Sequence, residues 1–192
     1  FEVGMKTGLL DGAAELNIAA FYTVYEDLQI SIFDGTLGFN VGNAKEAVTQ
    51  GLEIDGRYQA TEYLSFGGAL ALLDFEFTDF KNGQCQQGQQ PTSADGQFCD
   101  YTGLSNQYVA DWSGTFIIGY LRPVSPTLGL GVTLDVVFTD DYNPSSNVDP
   151  RVEQPGFTKF NGRIGLGAID QSWEVSLVGK NLTDEAIIVY AA

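Results

Sequence analysis

Large apolar residues alternate with small or polar ones along most of the chain, with a period of two residues. The pattern is clearest from Leu128 to Phe138, where every even-numbered position carries a large apolar side chain. The intervening positions hold glycine, threonine, aspartate and valine. A helix would spread this pattern around its circumference, whereas a strand places it on one face. The segment is therefore predicted to be a β-strand with one apolar face and one polar face.

The same alternation predicts an all-β chain. Eight strands are expected, at residues 1–9, 14–33, 39–60, 63–80, 108–121, 127–141, 156–168 and 172–181. Short connections at 10–13, 61–62, 122–126 and 169–171 alternate with longer or more polar ones at 34–38, 81–107 and 142–155. Tight turns at one end and long loops at the other are typical of an up-and-down antiparallel meander.

One predicted strand changes phase along its length. Its large apolar residues stand at even positions up to Leu72 and at odd positions from Leu73, including Phe75 and Phe77. Two explanations fit this change. A β-bulge near Leu72 would shift the alternation by one residue, or the strand would leave its apolar environment there.

Composition narrows the function classes. With 25 acidic and 9 basic residues among 192, the formal net charge of −16 disfavours nucleic-acid binding, which needs a basic surface. The absence of histidine removes the Ser–His and Cys–His nucleophile pairs and the commonest metal ligand. We predict no catalytic site, no metal site and no cofactor.

Two environments would explain the alternation. A soluble antiparallel sheet buries one face, and a transmembrane β-barrel turns its apolar face to lipid while its mean hydropathy stays near that of a soluble protein. The predicted strands 14–33 and 39–60 need about twenty residues each, whereas globular strands average about five or six. Their length favours the barrel.

Four sequence blocks resemble motifs of the TonB-dependent outer-membrane receptors, in that family's order. Residues 1–7 (FEVGMKT) before Asp11-Gly12 resemble its first hairpin, and residues 16–29 (LNIAAFYTVYEDLQ) resemble its LN-x-A-x-FY-x-x-Y-x-D-x-Q segment. Residues 43–53 resemble N-A-x(6)-G-x-E, and residues 173–184 (WEVSLVGKNLTD) resemble the block before the last strands. The resemblance implies that the chain supplies about eight strands of a 22-stranded plugged barrel.

The resemblance also implies a cellular role. Members of the family lie in the outer membrane of Gram-negative bacteria and import scarce nutrients such as ferric siderophores. The expected partners are the lipid bilayer, the receptor's own N-terminal plug domain, an inner-membrane energy-coupling protein and a small nutrient ligand. Residues 1–192 are expected to be one partial domain from the C-terminal part of the barrel, without the plug and the final strand.

The long loop 81–107 carries the chain's two cysteines. Cys85 and Cys99 are 14 positions apart and suit a disulfide in an oxidising compartment, with a reactive thiol pair or a metal site as the alternative. The resemblance agrees with a disulfide on the cell exterior. Binding residues concentrate in loops on rigid scaffolds.

Four aromatic residues of the long loops are candidates for stacking on a ligand. They are Phe98, Tyr101, Tyr108 and Tyr142. Asp140, Asp141 and Asp149 raise a calcium hypothesis, but they lack EF-hand spacing, so no metal site is assigned. The competing functions are a secreted or surface all-β binding module and a passive, porin-like barrel.

Overall fold

The computed structural model describes residues 1–33 and 39–190, and the side chains of residues 1–30 and 41–190. The predicted connection 34–38 lies outside the described residues. Within the described ranges, no helix has the length and apolar character needed to cross a bilayer.

The chain forms one antiparallel sheet in which each strand pairs with the next along the sequence. A short 3₁₀ turn at Leu10–Gly12 joins the first two strands. The strands are β1 (Glu2–Leu9), β2 (Ala14–Phe33), β3 (Phe39–Gln59), β4 (Leu64–Asp79), β5 (Trp112–Pro123), β6 (Leu128–Thr139), β7 (Phe157–Ala168) and β8 (Glu174–Gly179). The predicted all-β meander and its eight strands are confirmed.

Several strand ends differ from the prediction by a few residues, and two of these differences have identifiable reasons. Strand β5 begins at Trp112 rather than 108, because Tyr108 adopts a left-handed conformation and donates its backbone N–H to Asn143. Strand β8 ends at Gly179 rather than 181. Asn181 is also left-handed, and its backbone N–H bonds the side-chain oxygen of Asn161 at 2.8 Å instead of continuing the ladder.

The register places the large apolar residues of neighbouring strands on one face. Leu72 pairs with Leu52 on one side and with Trp112 on the other, so all three point the same way. This face stays uncovered, with Val175 and Leu177 71% and 74% exposed. A single sheet that leaves its apolar face open needs a non-aqueous surrounding, which lipid supplies.

Aromatic side chains mark two levels of the apolar face. Tyr22 and Trp112 lie towards the long loops, and Tyr58 and Tyr120 lie towards the short turns. The ten residue steps from Leu128 to Phe138 span about 34 Å, which a strand tilt of about 40° reduces to about 26 Å. That height matches the apolar band of an outer-membrane barrel.

The opposite face carries glycine, small polar residues and paired charges, as the alternation predicts. Charged and amide side chains of neighbouring strands bond each other across this face. The pairs are Arg57–Glu15, Asn17–Asp55, Asn161–Asp135 and Arg163–Glu174. Glu53 and Asp111 also have odd numbers, like their neighbours Asp55 and Ser113 on this face.

The predicted bulge near Leu72 is wrong. Strands β3 and β4 keep one register from Gln59 and Ser65 up to Ala47 and Phe77, and the irregularity comes only beyond that pair, at Glu46. The second explanation accounts for the change of phase. Beyond Leu72 the strand loses its pairing with β5, and the residues on its polar-face side, such as Phe77, are covered by the following loop.

Candidate ligand-binding site at the long-loop end

Six buried apolar residues among the described ones form one cluster, at the long-loop end of the sheet. The aromatic centre is Phe77, Phe80 and Tyr101, with ring centroids 5.0 to 6.5 Å apart. Ala44 and Ala47 of β3 form its floor and are fully buried. Within the described residues, the eight-stranded sheet, here called the wall, has no such core, so the loops carry their own hydrophobic interior.

Cys85 and Cys99 are joined by a disulfide within the loop, as predicted. Next to it, Gly83 and Cys99 exchange two backbone hydrogen bonds of 2.9 Å. Gly83 lies so close to the Tyr101 ring that a Cβ atom would overlap that ring. A glycine is therefore required at position 83, and the disulfide and the aromatic centre form one packed unit.

The loop between β6 and β7 is bound to this unit. Arg151 bonds the carboxylate of Asp149 and, through Nη2, the carbonyl of Gln87 at 3.2 Å. Gln86 donates its amide to the carbonyl of Val148 at 3.1 Å. Asp149 is only 6% exposed, and its contact with Arg151 lowers the pKa of its carboxyl. The two long loops thus form a single assembly, here called the loop cap (residues 80–111 and 142–155).

Tyr101, predicted to stack on a ligand, lies inside the loop cap. It is 3% exposed, and its hydroxyl donates to the carbonyl of Gln84 at 2.5 Å. Burial, with a smaller effect of the Asp149 charge, raises the pKa of this phenol far above its usual range. In this structure both faces of the ring are occupied by protein, and the ring holds the cap together.

Tyr108 and Tyr142 are brought together at the edge of the cap. Their ring centroids are 6.1 Å apart, and the Tyr108 hydroxyl donates to the carbonyl of Val189 at 2.7 Å. Burial and the neighbouring Tyr108 raise the pKa of the Tyr142 phenol. Tyr108 is 47% exposed. The pair therefore offers an accessible aromatic surface with a fixed ring orientation.

Phe98 occupies a separate position, directly before Cys99 at the base of the disulfide loop. Its backbone N–H bonds the hydroxyl of Ser93 at 2.9 Å, and its carbonyl accepts from Thr92. Its side chain is half-buried. Of the four predicted stacking residues, the structure thus pairs Tyr108 with Tyr142 and places Tyr101 and Phe98 elsewhere in the cap.

The acidic residues between β6 and β7, which raised the calcium hypothesis, do not converge on one point. Asp149 is engaged by Arg151, and Asp140 accepts the backbone N–H of Asp141 at 3.0 Å. No group of three or more acidic or cysteine side chains within residues 1–33 and 39–190 is placed to hold a metal ion.

Several residues that build the cap were not among the predicted site residues. Phe77 and Phe80 form its centre, and Arg151 joins its two loops. The change of phase after Leu72 could have identified Phe77 as a residue of the cap, since it shows that the apolar residues beyond Leu72 point towards the loops. Nothing in the sequence pairs Arg151 with Gln87, which is 64 residues away.

The segment after β8 connects the wall to the cap. Asn181 donates its side-chain amide to the carbonyl of Glu185 and accepts the Glu185 backbone N–H, both at 3.0 Å. Farther along, the backbone N–H of Ile188 bonds the side-chain oxygen of Gln154 at 2.7 Å. The Asn-Leu-Thr-Asp block therefore makes the turn that directs the chain to the loops.

Comparisons with known proteins agree with this architecture. The siderophore receptor PiuA from Acinetobacter baumannii superposes with a TM-score of 0.70 at 22% identity, over 99% of this chain and 25% of that protein. The ferric yersiniabactin uptake receptor FyuA from Yersinia pestis gives 0.73 at 17%, over 98% and 25%. The ferric-catecholate import receptor Fiu from E. coli gives 0.62 at 16%, over 98% and 24%.

These likenesses establish the fold, and the chain spans about a quarter of the length of these receptors. No curated protein matches it. The sequence profile of the family described as "TonB dependent receptor-like, beta-barrel" matches residues 1–182, which is nearly the whole chain. The chain therefore belongs to the TonB-dependent receptor family, as part of its β-barrel.

Proposed function

We propose that this chain is the C-terminal sector of an outer-membrane transporter that imports a scarce nutrient such as a ferric siderophore. The family match over residues 1–182 carries the proposal. The uncovered apolar face, about 26 Å high, supports a position in the bilayer. The proposed location is the outer membrane of a Gram-negative bacterium, and the proposed role is transport without catalysis.

The polar face is then the wall of the lumen. Its cross-strand pairs, such as Arg57–Glu15, hold charges that water or a plug domain can contact. The proposed partners are that plug domain, an inner-membrane energy-coupling protein that acts through it, and the nutrient. The final strand and the plug would belong to the longer receptor.

The loop cap is the proposed place of ligand capture. Tyr108 and Tyr142 supply the accessible aromatic surface, and Phe98 beside Cys99 is a further candidate. Tyr101 would support the cap rather than contact the ligand, since its ring packs on Phe77 and Phe80. Aromatic side chains suit ligands with flat or partly apolar surfaces.

The transport proposal is tested with the full-length parent receptor in its native cells. We expect the protein in the outer-membrane fraction, faster migration on a gel when unheated than when boiled, and loss of radiolabelled ferric-siderophore uptake on deletion of its gene. A soluble protein whose migration ignores heating would favour the secreted binding module. Outer-membrane material whose uptake persists without the energy-coupling protein would favour a passive porin.

The binding role of the tyrosine pair is tested separately. Tyr108→Ala removes the ring, whereas Tyr108→Phe keeps the ring and removes only the hydrogen bond to Val189. We expect the alanine variant to lose ligand affinity by about tenfold and the phenylalanine variant to retain it, since stacking needs only the ring. Equal loss in both variants would assign Tyr108 a structural role instead.

A further inference from the structure

The chain contains two Asn-Gly pairs, Asn82-Gly83 in the loop cap and Asn161-Gly162 on β7. Asparagine is one of the thermolabile residues, because its side-chain amide can be lost by deamidation. The reaction is fastest before glycine, since glycine has no Cβ atom to hinder the approach of its backbone nitrogen to the asparagine side chain. Each pair is therefore a candidate site of covalent modification, and its local structure decides whether the reaction occurs.

The closed loop cap protects the first pair. The backbone N–H of Gly83 donates to the carbonyl of Cys99 at 2.9 Å, and the Gly83 carbonyl accepts the Cys99 N–H at 2.9 Å. Gly83 is buried, and a carbon added at its Cα would overlap the Tyr101 ring. The nitrogen of Gly83 would have to rotate out of these contacts to reach Cγ of Asn82. The reaction is therefore blocked while the cap is closed.

The disulfide holds this arrangement closed. Cys99 is bonded to Gly83 through its backbone and to Cys85 through its sulfur, so the two links close one short ring of chain. Cys85 is half-buried, whereas Cys99 is fully buried. A thiolate reductant therefore attacks the Cys85 sulfur and releases the Cys99 thiolate, and a second thiolate then frees Cys85 while the reductant becomes a disulfide. Loss of this constraint raises the fraction of receptors with an open cap.

In an open cap, the first pair can react with no partner except water, which reaches the exposed Asn82. The backbone nitrogen of Gly83 bonds to Cγ of Asn82 and gives up its proton, the bond from Cγ to the side-chain nitrogen breaks, and ammonia leaves with that proton. The product is a cyclic succinimide. Water then opens the ring at either of its carbonyls and yields aspartate or isoaspartate at position 82.

Isoaspartate at position 82 would oppose reclosure of the cap. It carries the main chain through its side-chain carbon and so lengthens the backbone before Gly83. Gly83 has no space to move against the Tyr101 ring, and its two bonds to Cys99 fit the present chain length. A receptor with isoaspartate there therefore cannot restore the packed unit of Gly83, the disulfide and Tyr101.

We propose that Asn82-Gly83 is a redox-gated deamidation site. A thiol that reduces the Cys85–Cys99 disulfide opens the loop cap, and deamidation of Asn82 then makes the opening permanent. The consequence is loss of the loop surface that carries Tyr108 and Tyr142. The proposal goes beyond transport and holds for any nutrient that the receptor takes.

The second pair is an internal control. The side-chain amide of Asn161 donates to Asp135 at 2.7 Å, and its oxygen accepts the backbone N–H of Asn181 at 2.8 Å. Gly162 lies within β7, paired with Leu134 on one side and with Gly179 on the other. These contacts do not depend on the disulfide, so Asn161 should keep its amide in both redox states.

The test uses the full-length parent receptor in outer-membrane vesicles at mildly alkaline pH, with or without dithiothreitol. Samples taken over several days are alkylated, digested and analysed by mass spectrometry, which measures deamidation at Asn82 and Asn161 in the same digest. The variant C85S/C99S opens the cap without a reductant. The variant N82Q keeps an amide at position 82, but its longer side chain must close a larger ring, which forms far more slowly.

We expect the deamidation rate of Asn82 to rise at least about tenfold in the reduced parent and in C85S/C99S, with Asn161 unchanged. After reoxidation, only the fraction of the parent that kept Asn82 should regain protease resistance in the loop, whereas N82Q should regain it fully. An unchanged rate at Asn82 in either opened form, or an equal rise at Asn161, would overturn the proposal. Full recovery of the isoaspartate fraction would overturn it as well.

Discussion

Replacing Leu134 by arginine tests whether the apolar face meets lipid. Leu134 lies on β6 and pairs with Ile118 on β5 and Gly162 on β7, all three on the apolar face. An arginine there would place a guanidinium against hydrocarbon, where charged groups are costly. On the polar face the same group would meet water.

The cost depends on how deep the residue lies. The apolar positions of β6 run from Leu128 to Phe138, so Leu134 stands one residue step from the middle of the band. With about 26 Å of total height, that step corresponds to about 2.6 Å from the midplane. Arginine at the midplane of an outer-membrane barrel costs about 2–4 kcal/mol, and we expect nearly the full amount.

The assay is a urea titration of the full-length parent receptor refolded into lipid vesicles, with heat-modifiable migration as the measure of assembly. Thr115→Arg is the matched control, because Thr115 lies on the polar face between Ala69 and Val137. We expect the Leu134 variant to lose about 2–4 kcal/mol of unfolding free energy and the control less than about 1 kcal/mol. Equal losses in the two variants would refute the assignment of the faces.

Three further predictions concern the loop cap. Phe77→Ala should cost about 3–5 kcal/mol in the same titration, because the Phe77 ring is fully buried in the cluster; a loss below about 1 kcal/mol would contradict its central role. Replacing Cys85 and Cys99 by serine should lower the free energy of unfolding by about 3 kcal/mol and speed protease cleavage within the loop, while heat-modifiable migration persists. An unchanged cleavage rate would contradict the constraining role of the disulfide. Because contact with Arg151 lowers the pKa of Asp149, this contact stabilises the cap above about pH 4 and is lost as pH falls further. The hydrogen-exchange protection factors of the cap amides, which are corrected for the intrinsic pH dependence of exchange, should therefore fall below about pH 4, and the Asp149→Asn variant should lack that fall.

The wall could be predicted from sequence because each strand faces only two environments. Alternation along β6 reports directly which residues meet lipid and which meet water, and no third layer interferes. The strand ends were less predictable. Left-handed residues such as Tyr108 and Asn181 end the pairing through contacts that a period of two does not register.

The cap could be predicted only in part. The disulfide followed from two cysteines in one polar loop, because no other cysteine competes for them. Tyr101 was predicted to face a ligand, but the structure packs it on Phe80, since an aromatic residue in a polar loop can serve either role. The contact between Tyr108 and Tyr142 depends on the mutual placement of two loops, which no local pattern encodes.

The bonds that join the two loops bear on how such a receptor could be given a new specificity. Gln86 and Gln87 of one loop are held by Val148 and Arg151 of the other, and the hydrophobic centre lies between them. A transplanted disulfide loop would arrive without these partners and would expose Phe80 to water. Exchange between related receptors should therefore succeed only when residues 80–111 and 142–155 are transferred as a pair.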